Sequence, residues 1–532
     1  MRSIRLAVPS LVLVLAGCSG FDEFYTREES ARIESLANLP DPAPDPANKY
    51  GGDAAAADFG QQLYFDTRFS GPATQRDTLG RDAVFARAKR GDPVNLSCAS
   101  CHDPKTGGSD HTSVPGHVSV GAGWYDVNSM PTVNSAYYDL KYWNGRYDSL
   151  VWQILAVNES PVSMNSTRLK NAWLIHDLYL DLYRAVFDDD FPFDFHAAGI
   201  DRNAMASRIE PAQKDGAANP RAGQCLLART ETSTSPVCPS DVCREASIGE
   251  KDYCLPRWPL SGKPGADRTC DEANPAGDAF DCMAAEDKDA ITRVYVNFAK
   301  AIAAYEYKLI SRDSAFDRFV DAGETSTLVS DSAKRGAKLF VGKASCIECH
   351  SGALFSDQDF HNIGVPQVGA GVPTVAECTA KTSCDCESVP SKDCLPWGAF
   401  NGLQKLQANL ELRIDGPKWS DDPTGASEVR KSWYTRKLGD ELKGAWRTPS
   451  LRDVALTAPY MHNGVYTTLN EVIWHYDGGG THDGAAPDSL SVRVAPLGLT
   501  DAEVDDLAAF LETLTGAPLP ETLVKSPTLP PG

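Results

Sequence analysis

Two short stretches of this 532-residue chain carry the same pattern of reactive residues: Cys98-Ala-Ser-Cys101-His102 and Cys346-Ile-Glu-Cys349-His350. Cys-x-x-Cys-His is the attachment motif of c-type haem, in which both thiols bond to the porphyrin and the histidine binds the iron. A thioredoxin-like dithiol would need a βαβ pattern, which is not visible around either motif. A zinc site would leave the repeated histidine unexplained. The sequence therefore predicts two covalently bound haem c groups.

The first residues of the chain predict export. Arg2 and Arg5 precede an apolar run over residues 6–16 that is too short to span a membrane. The run ends in Leu15-Ala16-Gly17-Cys18, which resembles the lipobox of bacterial lipoproteins and implies cleavage before Cys18 and lipid on its thiol. An ordinary secretory signal cut nearby is the alternative. We expect the mature chain on the periplasmic side of a bacterial membrane, either lipid-anchored or free in the periplasm.

The charge of the chain limits the classes of partner that it can bind. It has 51 basic and 72 acidic residues and a formal net charge of −21. Such a balance argues against binding to nucleic acid or to an anionic membrane surface, and it would attract a basic redox protein. No segment after the N-terminal run is apolar over the length that a transmembrane helix needs.

The remaining cysteines predict disulfides. Apart from Cys18 and the four haem cysteines, ten cysteines fall into two clusters. The clusters are Cys225, Cys238, Cys243, Cys254, Cys270 and Cys282, then Cys378, Cys384, Cys386 and Cys394. Even numbers in an oxidising compartment indicate three disulfides in the first cluster and two in the second. Their connectivity cannot be deduced from the sequence, and a metal site is the alternative.

Hydrophobic periodicity and composition divide the chain into five parts. They are a signal peptide (1–18), a Pro-rich tether (19–50), a first haem domain (51–329) with a Cys-rich insertion (213–285), a second haem domain (330–516) with an insertion (366–440), and a disordered tail (517–532). We predict helices over 54–65, 151–157, 170–186, 291–309 and 333–341, and a last helix that Thr500 and Glu503 cap. The predicted fold is mainly α, with two cytochrome c-like haem domains and two disulfide-stapled insertions.

Five stretches between about Gly60 and Gly516 carry a family resemblance. They are residues 63–71 (LYFDTRFSG), 98–104 (CASCHDP), 142–146 (YWNGR), 361–366 (HNIGVP) and 447–464 (RTPSLRDVALTAPYMHNG). In this order they resemble the bacterial diheme cytochrome c peroxidases and the MauG-type enzymes. That family works with two unlike haems. The resemblance implies that the haem on His102 reacts with hydrogen peroxide and that the haem on His350 is six-coordinate and handles electrons.

The resemblance also implies roles for two aromatic residues. The family's tryptophan that relays charge between the haems corresponds to Trp143, which on its own would be read as a core aromatic. The peroxidases place a methionine ligand about fourteen residues after the histidine of Pro-Tyr-x-His, and that position here is Tyr476, as in MauG-type chains. A phenolate stabilises ferric iron and lowers its potential, whereas a thioether favours ferrous iron. Met461 is the alternative ligand, and His475 is expected to be a hydrogen-bonding neighbour.

The other side of the first haem departs from the family pattern. Resting peroxidases often carry Gly-His-Gly-Trp where this chain has Gly121-Ala122-Gly123-Trp124, so the closing histidine is absent. The iron on His102 is then expected to be open to peroxide. His117 and His111 are the histidines that would close it instead, unless they are solvated loop residues.

The acid–base residues of that site also differ. The family's distal glutamine corresponds to Gln153, but its distal glutamate corresponds to Ser163. A carboxylate normally moves the peroxide proton, so the loss lowers the peroxidase efficiency that we expect. Glu159 is the sequence candidate for a replacement.

The family binds a calcium ion between the haems. Its carbonyl donors correspond to Thr457 and Pro459, and its asparagine corresponds to Asn128 or, by strict count from Pro131, to Ser129. Oxygen donors of these kinds suit a hard cation.

The resemblance therefore implies an exported peroxidase-type oxidoreductase. Its reductant would be a small cytochrome c or cupredoxin, or a residue on a protein substrate. The alternative is a non-enzymatic diheme electron-transfer lipoprotein in which His117 closes the first haem. The enzyme needs a five-coordinate, high-spin ferric haem at rest, so the resting spin state separates the two hypotheses.

Overall fold

The computed structural model describes residues 24–76, 88–111, 119–125, 127–187, 191–192, 195, 243–248, 251–258, 262–265, 280–366, 398–480 and 490–531. The described part contains thirteen α-helices and two two-stranded antiparallel sheets. The helices are α1 (Arg27–Glu34), α2 (Ala54–Phe65), α3 (Leu150–Glu159), α4 (Arg168–Leu178), α5 (Leu180–Phe187), α6 (Ala285–Glu306), α7 (Ala315–Ala322), α8 (Asp331–Val341), α9 (Gly398–Ala408), α10 (Glu428–Thr435), α11 (Leu469–Asp477), α12 (Asp501–Glu512) and α13 (Glu521–Val524). The strands are β1 (Cys243–Ile248), β2 (Lys251–Pro256), β3 (Phe360–His361) and β4 (Trp446–Arg447). The mainly helical fold predicted from the sequence is confirmed.

The first domain is built on the crossing of α2 and α6. A Cβ atom on Gly60 would lie 1.9 Å from the carbonyl oxygen of Ala301, so only glycine allows the two backbones to come this close. Helices α3 and α4 pack on α6 as well. Phe59, Trp152 and Phe298 belong to the resulting buried core.

The second domain repeats this crossing with α8 and α12. A Cβ atom on Gly336 would lie 2.0 Å from the carbonyl oxygen of Asp506. Phe340 and Phe510, one from each helix, lie in the buried core with ring centroids 5.1 Å apart. Each haem motif thus follows the first helix of a helix pair that a glycine joins.

Residues 24–50 differ from the predicted tether. Helix α1 begins with a capping box of Thr26 and Glu29, and its residue Ile33 is buried in the core of the second domain together with Tyr25. The Tyr25 hydroxyl donates to the carbonyl oxygen of Lys334 at 3.0 Å. The first part of this segment is therefore packed on the second domain, whereas Ala47 is buried in the core of the first domain and Asn48 Nδ2 donates to the carbonyl oxygen of Lys300 at 2.9 Å.

The C-terminal segment also differs from the prediction, which treated 517–532 as disordered. Residues 517–531 lie against the first domain and include α13. The Tyr305 hydroxyl donates to the carbonyl oxygen of Leu523 at 2.5 Å, and Arg68 Nη1 donates to that of Pro530 at 3.0 Å. Backbone carbonyls make these contacts, so a Pro-rich sequence does not prevent them.

The insertions are only partly described. Residues 398–440 of the second insertion contain α9 and α10, and Ile414 and Ala426 join the core of the first domain. This part is helical and packed, whereas the sequence showed little pattern there. In the first insertion, β1 and β2 form a hairpin that was not predicted.

The cysteine clusters lie mostly outside the described residues. Cys254 and Cys282 are each disulfide-bonded, but the described structure does not show which cysteine each one pairs with. The set of five disulfides therefore stays a prediction. The signal peptide, Cys18 and His117 also fall outside the described residues. None of the described helices combines the length and the apolar character that crossing a lipid bilayer requires.

Candidate haem sites

Each haem motif forms one tight turn. Residues Cys98–Ser100 and Cys346–Glu348 are single 3-10 turns, and the peptide N–H of each following histidine returns to the carbonyl oxygen of the first cysteine. The N–O distance is 3.0 Å from His102 to Cys98 and 2.9 Å from His350 to Cys346. The four thiols form no disulfides. One turn therefore presents two sulfur atoms and an imidazole together, as covalent haem attachment requires.

Both motif histidines are oriented through the ring nitrogen that would not bind iron. His102 Nδ1 lies 2.9 Å from the carbonyl oxygen of Gly108, and His350 Nδ1 lies 3.0 Å from that of Phe355. A carbonyl acceptor places the proton on Nδ1 and leaves the Nε2 lone pair for a metal. Burial lowers the pKa of both imidazoles despite these hydrogen bonds, which favours the neutral, metal-binding form.

A first cavity, lined by Cys98, Cys101 and His102, also receives Gln153 and Ser163. Among the described residues that line it, His102 is the only histidine. His111 lies on an exposed loop, where its Nε2 is 3.2 Å from the carbonyl oxygen of Thr106. The described part of the cavity thus supplies one histidine ligand.

The segment with the missing histidine lies beside the missing glutamate. The Ala122 peptide N–H donates to the carbonyl oxygen of Ser163 at 2.6 Å, and Gly121 lines the first cavity. The structure therefore brings together the two positions at which the sequence departs from the family pattern.

Glu159 does not replace the missing carboxylate. It lies at the end of α3, where its two oxygens accept from Nε and Nη2 of Arg168 at 3.0 and 2.8 Å, and it does not line the first cavity. Glu306 lines that cavity instead. The sequence held a sign of this, because Glu306 lies four residues after Ile302 on the apolar stripe of α6 and therefore on the same face.

A second cavity is lined by Cys346, Cys349 and His350, and both candidate ligands, Tyr476 and Met461, reach it. Burial raises the pKa of Tyr476, so its phenolate would need the positive charge of a metal ion to form. The cavity walls thus present the two ligands that separate the subfamilies.

His475 is held away from a ligand role. Its Nε2 lies 2.8 Å from the carbonyl oxygen of Ile363, and its Nδ1 lies 3.1 Å from the hydroxyl of Tyr466. With both ring nitrogens hydrogen-bonded, His475 is positioned as the neighbour of Tyr476.

Trp143 lines both cavities and is the one described residue that does so. Its indole Nε1 donates to the carbonyl oxygen of Asn128 at 2.9 Å, and its own carbonyl oxygen accepts from the peptide N–H of Arg447 at 2.8 Å. The side chain is 9% exposed. One hydrogen bond thus orients the indole, and a second, from Arg447 in the other domain, holds the backbone of Trp143.

Arg447 indicates that an anionic group belongs in the second cavity. Its guanidinium is buried, stacks 3.5 Å from the ring centroid of Tyr138, and has no hydrogen-bond partner for Nη1 among the described residues. A buried, unpaired guanidinium N–H is costly unless an acceptor faces it. The propionates of a haem would be such acceptors, so the residues present fit the group.

The predicted calcium ligands are partly brought together. Asn128 Nδ2 donates to the carbonyl oxygen of Pro459 at 2.7 Å, and Asn128 Oδ1 is buried without a hydrogen-bond partner in the described structure. Thr457 lies two residues earlier on the same loop, and Ser129 is engaged with Ser119 and Ser109. The calcium site stays a prediction.

The chain is similar to several known proteins. The family model described as di-haem cytochrome c peroxidase matches residues 54–212. Cytochrome-c peroxidase IdrP1 of Denitromonas iodatirespirans is 27% identical over 97% of this chain and 93% of that protein. Methylamine utilization protein MauG of Methylorubrum extorquens is 30% identical over 43% of this chain and 46% of its own length. A solved MauG-like protein associated with microbial copper homeostasis aligns over 92% of this chain and 95% of its own, with 19% identity and a TM-score of 0.49.

The family match and the full-length relative agree with the two haem-attachment turns and their oriented histidines. This resemblance implies two haem c cofactors. Residues 54–212 match the di-haem cytochrome c peroxidase family, the chain resembles cytochrome-c peroxidases and MauG proteins, and it is a peroxidase-type oxidoreductase.

Proposed function

We propose that the chain uses hydrogen peroxide at the site on His102 and shares the oxidising equivalents, through Trp143, with the site on His350. The final reductant is a small cytochrome c or cupredoxin, or a residue on a protein substrate. When bound, the haems supply the redox chemistry. The chain's own residues hold them, fix the distance between them and select their ligands.

The observation that carries this proposal is the position of Trp143. It is the described residue common to both cavities, and hydrogen bonds hold it on two sides. Indole is among the side chains that lose an electron most readily, so one tryptophan between two redox sites provides a short path. A protein that only stored two haems would not need this contact.

The unequal cavities support a division of labour between the sites. The described lining of the first cavity supplies no histidine besides His102, whereas the lining of the second includes both candidate ligands, Tyr476 and Met461, together with His350. An open site suits peroxide binding, and a closed site suits electron exchange.

The polar groups of the first cavity favour a slow oxidant. Gln153 can hydrogen-bond to a bound peroxide but cannot transfer a proton, and Ser163 replaces the family's carboxylate, so the one carboxyl among the described lining residues, Glu306, comes from α6 and not from the position of the family's glutamate. Slow turnover of peroxide suits an enzyme that modifies a protein substrate. This agrees with Tyr476 as the ligand, because a tyrosine at that position is the MauG-type pattern.

An optical and EPR survey of the ferric protein, with and without peroxide, tests the proposal. We expect one high-spin and one low-spin haem at rest, and changes in both spectra after peroxide. Two low-spin haems that ignore peroxide would instead support the non-enzymatic electron carrier, with His117 closing the first site.

The reductant can be tested through charge. Because the net charge is −21, a basic reduced cytochrome should be oxidised at a rate that falls as ionic strength rises. A rate that salt does not change would argue against a basic small protein as the donor.

We also propose that the chain is exported and that Cys18 carries lipid. Cys18→Ser should move the protein from the membrane fraction to the periplasmic fraction, whereas Ser19→Ala should leave it on the membrane. An unchanged distribution of Cys18→Ser would contradict lipidation.

The insertions are proposed to hold five disulfides and no metal. Thiol titration of the unfolded, unreduced haem protein should then find essentially no free cysteine. Four or more free thiols would reject the proposal, because at least two of the five disulfides would be missing.

A further inference from the structure

A buried carboxyl group lies in the wall of the first cavity. Glu306 is the last residue of α6, is 5% exposed, and lines the cavity together with Cys98 and Ile302. Its carboxyl group carries a desolvation cost, because the other residues of this wall are apolar or neutral polar, apart from His102 and the two cysteines of the motif. It is the only carboxyl among the described residues that line this cavity.

A serine connects Glu306 to a buried lysine. Glu306 Oε2 lies 3.5 Å from Ser135 Oγ, and the carbonyl oxygen of Ser135 accepts from Lys141 Nζ at 3.0 Å. Lys141 is 3% exposed and also donates to the carbonyl oxygen of Tyr138 at 2.6 Å. The two ionisable groups therefore occupy one buried cluster, which consists of Glu306, Ser135 and Lys141.

The ionisable groups around this cluster are few. Those that interact with Glu306 are Lys141, Tyr64, Tyr305 and Cys98. Those that interact with Lys141 besides Glu306 are Arg430, Asp45, Arg447 and Asp139. Lys141 is the one described cation that acts on Glu306, so it is the group that tunes the carboxyl.

Burial and neighbouring charges shift the pKa values of both Glu306 and Lys141 towards neutral pH. Burial raises the pKa of Glu306 to about 8, and Lys141 acts to lower it. Burial and Arg430 lower the pKa of Lys141, while Asp45 acts to raise it. The pKa values of the two groups are thus shifted towards each other and towards the physiological pH range.

Tyr64 links this part of the wall to the motif histidine. Its hydroxyl donates to the carbonyl oxygen of His102 at 2.6 Å and lies 3.1 Å from Thr132 Oγ1. A change in charge on Glu306 therefore changes the electrostatic potential in a low-dielectric region that adjoins the site on His102.

We propose that Glu306 binds a proton when the site on His102 gains an electron, and that Lys141 sets the pH range in which it does so. One electron enters from a one-electron reductant such as a reduced small redox protein, and one proton from water converts the Glu306 carboxylate to the acid. The charge of the cavity is then unchanged, which avoids an uncompensated negative charge in a buried site. The proposal rests on the haem that the proposed function assigns to His102, but not on the use of peroxide.

Redox titration of the full-length holoprotein at several pH values tests this inference. One of the two haem potentials should fall as pH rises through the range in which Glu306 titrates, because the proton stabilises the reduced site. Glu306→Gln should remove that slope. Glu286→Gln makes the same change at an exposed position of the same helix and should retain it.

Lys141→Met provides an independent variant. It removes the positive charge that lowers the pKa of Glu306, so the pH range of the slope should move upwards. A range that stays in place would contradict the role of Lys141.

Redox-difference infrared spectroscopy gives a second measurement. Reduction of the wild-type protein should produce the C=O band of a protonated carboxyl, and Glu306→Gln should lack it. If Glu306→Gln fails to take up haem, the pH slope and the infrared band of the wild-type protein still decide. Two wild-type potentials that pH does not change, or a Glu306→Gln variant that keeps both slope and band, would overturn the inference.

Peroxide spectra from the same samples separate this inference from the proposed function. A wild-type protein that titrates but ignores peroxide would keep the role of Glu306 and reject the peroxidase. A protein that reacts with peroxide at pH-independent potentials would do the reverse.

Discussion

The two haem sites share their construction on the histidine side and differ in the rest of the cavity. In both, one turn carries the cysteines, and a backbone carbonyl orients the histidine through Nδ1. In both, a glycine lets the helix that precedes the motif contact a later helix of the chain closely. The remaining walls differ, because Glu306 lines the first cavity, whereas Tyr476 and Met461 line the second.

This difference shows which residues decide the chemistry. Both domains repeat the features that attach a haem and orient one histidine. These shared features therefore cannot distinguish a site that reacts with peroxide from one that transfers electrons. The distinction lies in side chains that the scaffold leaves free to vary. The predictions below change those side chains or the elements that support them.

The largest effect is expected at the second cavity, for Tyr476→Met. Exchanging a phenolate for a thioether should raise the potential of that haem by about a few tenths of a volt, within the roughly 0.8 V range that axial ligands span. Redox titration measures the shift, and both haems should stay attached. The potential of the other haem should change little.

The ligand assignment has its own control. Tyr476→Phe should alter the low-spin EPR signal, and Met461→Leu should leave it unchanged. The opposite pattern would assign the ligand to Met461 and would remove the main reason for a MauG-like function.

The second domain should also be the more sensitive to acid. Arg452 makes a two-pronged ion pair with Asp317 at 2.9 and 3.0 Å, and both side chains are nearly buried. Burial acts to raise the pKa of Asp317, but the hydrogen bonds and charge of Arg452 hold it below its usual value. The pair therefore stabilises the fold above the ordinary carboxyl pKa, and the stabilisation is lost as pH falls through the folded-state pKa.

Asp317→Asn should accordingly cost about 3–5 kcal/mol of unfolding free energy at neutral pH, because it leaves a buried guanidinium unpaired. Denaturant unfolding at neutral and acid pH measures this cost, which should shrink in acid. Asp289→Asn breaks an exposed pair with Lys418 and should cost less than about 1 kcal/mol. Glu159→Gln in the first domain should fall between them, because that pair is more exposed.

The helix crossings offer a direct test of the shared construction. Gly60→Ala and Gly336→Ala should each destabilise their own domain by about 1–3 kcal/mol, because the new methyl group would meet a backbone carbonyl that cannot easily move. Thermal unfolding followed in the haem absorption bands would show the loss. Gly52→Ala, which has nothing within 4 Å of the added atom, is the control. A variant without effect at either crossing would mean that the helices can separate.

The sequence predicted those elements that local chemistry specifies. Helix α2 has the predicted bounds, since Asp53 caps it and an apolar face follows. The capping box of Thr500 and Glu503 begins α12 as expected. The predicted helix over 170–186 is divided at Tyr179, whose φ of −130° leaves the helical region.

The remaining differences arise from tertiary contacts. Helix α1 has a capping box that could have been recognised, but the prolines that follow it favoured a tether. The C-terminal segment docks through backbone carbonyls, which every sequence possesses and which therefore give no signal. In the site, the haem motifs and the aromatic Trp143 could be found from sequence. Glu306 and Arg447 could not be assigned, because only the folded chain shows which cavity each one faces.

The smallest expected effect, and the one that tests the link between the two sites, is that of Trp143→Phe. Phenylalanine keeps most of the packing but is much harder to oxidise, and it loses the indole hydrogen bond to Asn128. Electron exchange between the haems should slow by about tenfold or more, a barrier increase of about 1.4 kcal/mol. The resting spin states should not change, because Trp143 is not predicted to bind either iron. Rapid mixing with peroxide, followed at the absorption bands of both haems, measures the delay of the second haem behind the first. Trp152→Phe is the matched control, since Trp152 is buried in the core and lines neither cavity. If Trp143→Phe leaves the delay unchanged, the two sites communicate without the indole, and its place in both cavities is a matter of packing.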